Sequence, residues 1–390
     1  MTSPTAIFGG TPYEEVAEIA SNGFATWVDT DDKDQEGIVA HGAMLVDAPV
    51  DIVFNTVTDF ESSHKFIPVA RPGKILERNG SSVTVKLSQG IGMGIVSFGL
   101  EEVFRLRLHP PTWIECEEYV KGPFERASFE LYLFPIGDRT LTVLSFISDL
   151  RALHWLTSLF FVHQPEIEFA IAANMLLIPL SGYAAESERR AAAGAPRRSR
   201  QPARALWDAL GAGKLAPAVR HGYLTACRLD LRGNIVDVAS ATKVGASRPD
   251  VWRVTADPAY LCEMLSFVTD GRIVARDHRT LTSEVTYRIK IGPFSRQYRL
   301  RRRARYEEPA WLEAEEAHIE GQPATEADYL YDEGSNTLLC HVYYSDIKRD
   351  WLSGMFLKKH PEFERLICTY APIIRVRAMR TRFGAPFARG

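Results

Sequence analysis

The chain has 390 residues, 46% of them hydrophobic and 24% charged, with a formal net charge of −3, a composition ordinary for a soluble globular protein and a length beyond what one hydrophobic core supports. So even a charge balance excludes a dedicated nucleic-acid binder. The five cysteines (Cys116, Cys227, Cys262, Cys340 and Cys368) are far apart and form no CxxC, which fits reduced thiols in a cytoplasm and excludes a zinc ribbon.

Taken in order, MTSPTAIFGG carries neither the basic nor the apolar region of a signal peptide. Tyr13 to Ala20 reads as a weak helix and Thr30 to Glu36 as an acidic turn. A strand follows at Ile38 to Val46. After Pro49 a short helix covers Val50 to Val57, and Asp59 is placed to cap a second one that Pro68 ends. Six strands come next, at Lys74 to Arg78, Ser82 to Leu87, Ile95 to Leu108, Thr112 to Tyr119, Ala127 to Phe134 and Thr140 to Ser148, with turns at Asn79-Gly80, His109-Pro110-Pro111, Gly122-Pro123 and Gly137-Asp138. Gly90, Gly92 and Gly94 read as part of a hairpin turn. The unit closes on a long helix from Gln164 to Arg190, with Pro165 at its first position and Glu166 and Glu168 in its first turn. Pro179 is expected to kink or stop it.

The same order is then written again. Ala48 and Ala246 open matching stretches, APVDIVFNTVTDF and ASRPDVWRVTADP, and lie 198 positions apart, as do Trp113 and Trp311. Pro165 and Pro361 lead two helices of one design, the second again with an internal proline, Pro372. A duplicated unit is the reading, with one domain over 1–190, an Arg/Ala/Pro-rich linker over 191–204 and a second domain over 205–390. Strands of the second copy are expected at Ile235 to Val244, Gly271 to Ala275, Leu281 to Ile289, Ser295 to Tyr306, Ala310 to Ile319, Ala324 to Tyr331 and Thr337 to Ser345. The apolar run Leu153 to Val162, beside His154 and Trp155, is too short to span a bilayer and reads as a pocket lid, a dimer contact or a shallow membrane-docking patch.

Strand, two short helices, six strands and a long helix predict an α+β fold whose antiparallel sheet curls around its last helix and leaves a tunnel between them. On this order, and on APVDIVFNTVTDF with HKFIP, KGPFERASFELYLFP and TLTVLSFISDL, each half resembles the helix-grip superfamily of START-like domains, its polyketide cyclase and coenzyme Q-binding branch in particular. Gly122-Pro123-Phe124 carries the coenzyme Q likeness; in the second half it degrades to Gly321-Gln322-Pro323. The resemblance implies two tandem helix-grip domains and a hydrophobic small molecule (a lipid, an isoprenoid quinone or a polyketide) bound or transferred. Its alternative is a di-domain aromatase/cyclase that cyclises and dehydrates a poly-β-ketone.

Strand parity names the candidate residues. Phe98, Leu100, Phe104, Leu106 and Leu108 share a face with Glu102, so the first cavity is oily; Arg296, Tyr298, Leu300, Arg302, Ala304 and Tyr306 share the matching face of the second, which is more polar. The candidate lining is Phe98, Leu100, Phe104, Leu106, Phe129, Ile171, Met175, Leu300, Phe363 and Ile367. Glu102, Arg302, Tyr298, Tyr306 and His318 are the candidate catalytic groups. Each has a plainer reading: the apolar faces as filled core, and the arginines of residues 296–305 as cross-strand partners of Glu313, Glu315 and Glu316. His163 and His360 read as helix-entry residues. No spacing calls for a metal, a cofactor, a nucleophile elbow or a phosphate loop. Partners that fit are the hydrophobic molecule, a transient membrane or acyl-carrier contact, and a second copy of the chain.

Overall fold

The computed structural model describes residues 11–21, 23–29, 38–93, 96–148, 167–191, 219, 222–229, 235–291, 294–319, 322–345 and 363–384. Two compact units divide the chain, the main division falling between Gln201 and Pro202. The acidic turn at 30–36, the apolar run 153–162, both helix-entry histidines and all but the first residue of the expected linker lie outside the described residues.

In the first unit α1 (Tyr13–Ala20) starts behind Pro12, carries Glu14 and Glu15 at its positive end and buries Val16, Ile19 and Ala20. Strands β1 (Gly23–Asp29) and β2 (Ile38–Val46) pair antiparallel. Pro49 leads α2 (Val50–Val57), which buries Val53, Phe54 and Val57. The second expected helix is only a 3₁₀ turn at Ser63–Lys65. The Asp59 carboxylate takes a 2.8 Å hydrogen bond from Arg190 and is also hydrogen-bonded to Ser62, which precedes that turn. Then come β3 (Ala70–Asn79), β4 (Ser82–Met93), β5 (Val96–His109), β6 (Trp113–Lys121), β7 (Ala127–Ile136) and β8 (Arg139–Ser148), giving the sheet order β1-β2-β8-β7-β6-β5-β4-β3.

Helix α3 (Ile167–Ala191) continues past Pro179, so of the expected kink or stop the stop does not occur. A mid-helix proline forfeits a hydrogen bond, about 3 kcal/mol in isolation, and packing against the sheet offsets that. Gly42 of β2 shows how close the packing is: a Cβ there would lie 2.8 Å from Leu180 Cδ1 and 3.0 Å from Leu176 Cβ.

The second unit repeats the plan with β9 (Gly222–Leu229), β10 (Ile235–Val244), α4 (Arg248–Ala256), α5 (Ala259–Met264), β11 (Val268–Arg276), β12 (Thr280–Ile291), β13 (Phe294–Glu307), β14 (Trp311–Ile319), β15 (Gln322–Glu333), β16 (Asn336–Ser345) and α6 (Phe363–Phe383), which contains Pro372. Its sheet order is β9-β10-β16-β15-β14-β13-β12-β11. Both units are thus antiparallel sheets with few helices. β1 and β9 were not expected as strands.

Two hairpins fix which residue of one unit stands for which of the other. Gly137 and Gly334 turn β7 into β8 and β15 into β16 with φ of 63° and 75°, in the left-handed region glycine enters freely. Met93 pairs with Val96, and Ile291 with Phe294, at the ends of β4/β5 and β12/β13. Counting from these turns, Phe104 corresponds to Arg302, Glu102 to Leu300, Val85 to Ser283, Phe129 to Glu326, Leu131 to Asp328 and Leu144 to His341.

Candidate functional site

On β5 the residues Glu102, Phe104, Leu106 and Leu108 are buried, while Arg105 and Arg107 face water and pair with Glu118 and Glu117 of β6. The buried face opens onto a cavity of about 130 Å³. The sheet supplies Phe104, Ile114, Phe129, Leu131, Leu144 and Phe146 to its wall; Phe60 and Ile67, around the 3₁₀ turn, and Leu176, Pro179 and Tyr183 of α3 complete it. Phe104 meets Phe129 edge to face, with centroids 5.0 Å apart at 81°, and Tyr119 at 5.2 Å, the arrangement aromatic quadrupoles favour.

Into this wall β5 turns one acid. Glu102 is 5% exposed, and its Oε1 has no hydrogen-bond partner among the described residues. Burial pushes its carboxyl from the ordinary glutamate value up to about 7, because the charged form is the one that loses solvation. A carboxyl poised there is half protonated near neutral pH and both gives and takes a proton. Desolvation pushes Tyr183, half-buried on α3, up to about 12, and it stays a neutral phenol.

Of the expected lining, Phe104 and Phe129 stand on the cavity wall, Leu106 is buried without lining it, and Leu100 is half-buried in β5. Leu300 lies in an apolar cluster of the second unit with Val285, Ala317 and Ile374. The side chains of Phe98, Ile171, Met175, Phe363 and Ile367 lie outside the described residues. Arg71, Ser88, Gln89 and Tyr183 line the cavity and were missed by sequence reasoning. Gly90 and Gly92 belong to β4 rather than to a turn.

At the corresponding positions the second unit is charged. Arg302, 2% exposed, donates through Nε to Ser283 Oγ at 2.9 Å and through Nη1 to Glu326. His341 Nδ1 lies 2.9 Å from Asp328 Oδ1, and Arg375 of α6 reaches Asp328 at 3.6 Å and the Thr255 carbonyl at 3.3 Å. Burial alone would raise the Asp328 carboxyl, but His341 and Arg375 outweigh it and hold it at about 2. Arg302 therefore leaves the exposed ladder in which Arg305 pairs with Glu315 at 2.6 Å and Arg301 with Glu284 at 3.9 Å. Tyr298 is half-buried, the Tyr306 hydroxyl donates to the Asp277 carbonyl at 2.9 Å, and His318 is exposed. The five candidate catalytic groups thus fall in two different interiors and on the surface.

Sequence spacing indicated no metal set, yet Glu326, Asp328 and His341 bring one ligating atom each to within 4.8 Å of one another, across β15 and β16. A cation there would compete with Arg302 and Arg375 for the same carboxylates, so the donor set does not fit a divalent ion well. Among the described residues no helix is long and apolar enough to cross a membrane.

No family model and no curated protein matches the sequence. Solved structures do match. The di-domain ARO/CYC StfQ from the steffimycin biosynthetic pathway is 10% identical, covering 87% of this chain and 99% of its own at a TM-score of 0.29. For the di-domain ARO/CYC BexL from the BE-7585A pathway the figures are 13%, 90%, 99% and 0.30. A START superfamily protein from Mycobacterium smegmatis is 20% identical over 39% of this chain and 96% of its own, with a TM-score of 0.28.

Proposed function

We propose that the first unit binds a hydrophobic small molecule between its sheet and α3, in the manner of a helix-grip domain whose sheet curls around its last helix. The observation that carries this reading is the cavity itself, walled by apolar side chains of the sheet and by the α3 residues Leu176 and Pro179. A hollow of that lining is otherwise costly, since interiors are normally close-packed. Purified chain, extracted with organic solvent and read by mass spectrometry, should release an apolar molecule in stoichiometric amount.

Glu102 supports a second reading, cyclisation and dehydration of a poly-β-ketone. A carboxyl that titrates at about 7 takes a proton from the carbon between two carbonyls, the enolate forms the C–C bond to a ketone carbon, and the acid returns the proton to the alkoxide; a second proton taken from the same carbon and given to that hydroxyl expels it as water and leaves a C=C bond. Glu102→Gln should then abolish turnover and keep binding. An empty protein that redirects the cyclisation of a poly-β-ketone would overturn the first reading in favour of the second. Arg302, Tyr298, Tyr306 and His318 stay candidates for a chemistry of the second unit, and Arg302→Ala with unchanged turnover would remove Arg302.

A further inference from the structure

We propose that Glu102 donates a hydrogen bond to a carbonyl oxygen of the ligand, so that the first unit's cavity selects a neutral ketone, ester or quinone over a plain hydrocarbon, an inference that rests on reading that cavity as a hydrophobic-ligand site. In the register of β4 and β5, Leu87 stands opposite Glu102 and Gln89 opposite Leu100. Gln89 and Glu102 therefore project from the same face as Phe104, diagonal to each other across the two strands. Other polar residues at the cavity are engaged or turned away. The Ser63 hydroxyl donates to the Phe60 carbonyl at 2.8 Å. Arg71 and Ser88 are in register with Glu101, on the outer face of the sheet. Glu102, Gln89 and the Tyr183 phenol are left for a ligand.

The fold does not ask for an acid at this place. Its counterpart in the second unit is Leu300, in an apolar cluster with Val285, Ala317 and Ile374, and a leucine at 102 would spare the first unit a buried polar atom left unpaired. Glu102 carries that cost: it is 5% exposed, its Oε1 has no partner among the described residues, and burial alone accounts for its raised carboxyl. Out of water the carboxyl favours its protonated form, which has one O–H to donate. The Gln89 amide and the Tyr183 phenol add further N–H and O–H donors. Donors around an apolar hollow fit an acceptor that has no proton of its own, and a carbonyl oxygen with two lone pairs accepts from two of them. A hollow of about 130 Å³ takes a single aromatic ring, and Phe104 and Phe129, edge to face in its wall, suit one.

The test uses acetophenone and α-methylstyrene, isosteres that differ only in C=O against C=CH₂, by calorimetry on the full chain at pH 6, below the value at which Glu102 titrates. Glu102→Leu should lower acetophenone affinity about five- to tenfold, the scale of one hydrogen bond, and leave α-methylstyrene binding as tight or tighter, which also shows that the variant is folded. Glu102→Gln, which keeps an N–H to donate, should retain most of the acetophenone affinity. The infrared carbonyl stretch of bound acetophenone should lie lower in the wild type than in Glu102→Leu. If Glu102→Leu weakens both ligands alike or neither, or the stretch is the same in both proteins, the carbonyl site is overturned and the cavity reading stands. If neither ligand binds the wild type, both fall.

Discussion

Replacing Glu102 by Gln keeps the shape of the side chain and its unmet acceptor and removes only the charge. Its carboxyl titrates near 4.5 when solvated and is raised to about 7 by burial. Such a group contributes fully below the solvated value, and its contribution is lost as pH rises through the folded one, because over that window the unfolded chain has already released the proton that the folded chain still holds. The gap corresponds to about 3 kcal/mol at 1.36 kcal/mol per unit of pKa. The wild type therefore loses about that much between pH 4 and pH 8, and Glu102→Gln does not. Urea unfolding of the full chain, read by hydrogen exchange of β5 and β6 peptides so that only the first unit is followed, should show the variant equal to wild type at pH 4 and more stable by about 3 kcal/mol at pH 8. A difference that is the same at both pH values would refute the reasoning, since it would mean that the carboxyl is solvated and the cavity wet.

Other perturbations test the second unit and the helix packing. Arg302→Phe alone strands Glu326 and should cost about 3–5 kcal/mol, whereas Arg302→Phe with Glu326→Phe rebuilds the aromatic pair of the first unit and should recover most of the loss in urea unfolding. Asp328, held at about 2, contributes stability that is present above its ordinary value and lost as pH falls through the folded one; Asp328→Asn should remove at least about 2 kcal/mol at pH 7 and flatten the acid limb of the stability profile. Gly42→Val would drive a side chain into Leu176 and Leu180 and should lower stability by about 1–3 kcal/mol, seen as a fall in melting temperature.

Much of the sheet was legible because its strands end at glycine and proline turns and alternate between a wet and a dry face. β1 was not, since Gly23 to Val28 are buried on both faces and leave no alternation to read. The start of β3 was hidden by Pro72-Gly73, which looks like a turn; the strand passes through it with a register shift between Arg71 and Lys74. That masking concealed Arg71 as a cavity residue. Glu102 was legible from parity on β5. The charged interior of the second unit was only half legible. Arg302 falls on the right face, but nothing in the sequence singled out Glu326, Asp328 and His341, and Arg375, brought over by α6, reaches Asp328 in that interior.

The two interiors solve one packing problem in opposite ways. Where the first unit sets Phe104 against Phe129, the second sets Arg302 against Glu326; where the first has Leu131 and Leu144, the second has Asp328 and His341. The acid moves the other way, Glu102 giving place to Leu300. Stability does not explain the exchange, because apolar residues of similar volume usually match or exceed a buried ion pair, and the first unit shows that the fold accepts them. Nor does the network need a counter-charge, since two guanidiniums already face two carboxylates. An apolar ligand entering there would have to lie against ions that water no longer solvates, which is the costliest lining it could meet. The hydrophobic cargo proposed for this chain therefore belongs to the first unit, and removing the charges of the second at Arg302 and Glu326 together should leave its binding unchanged.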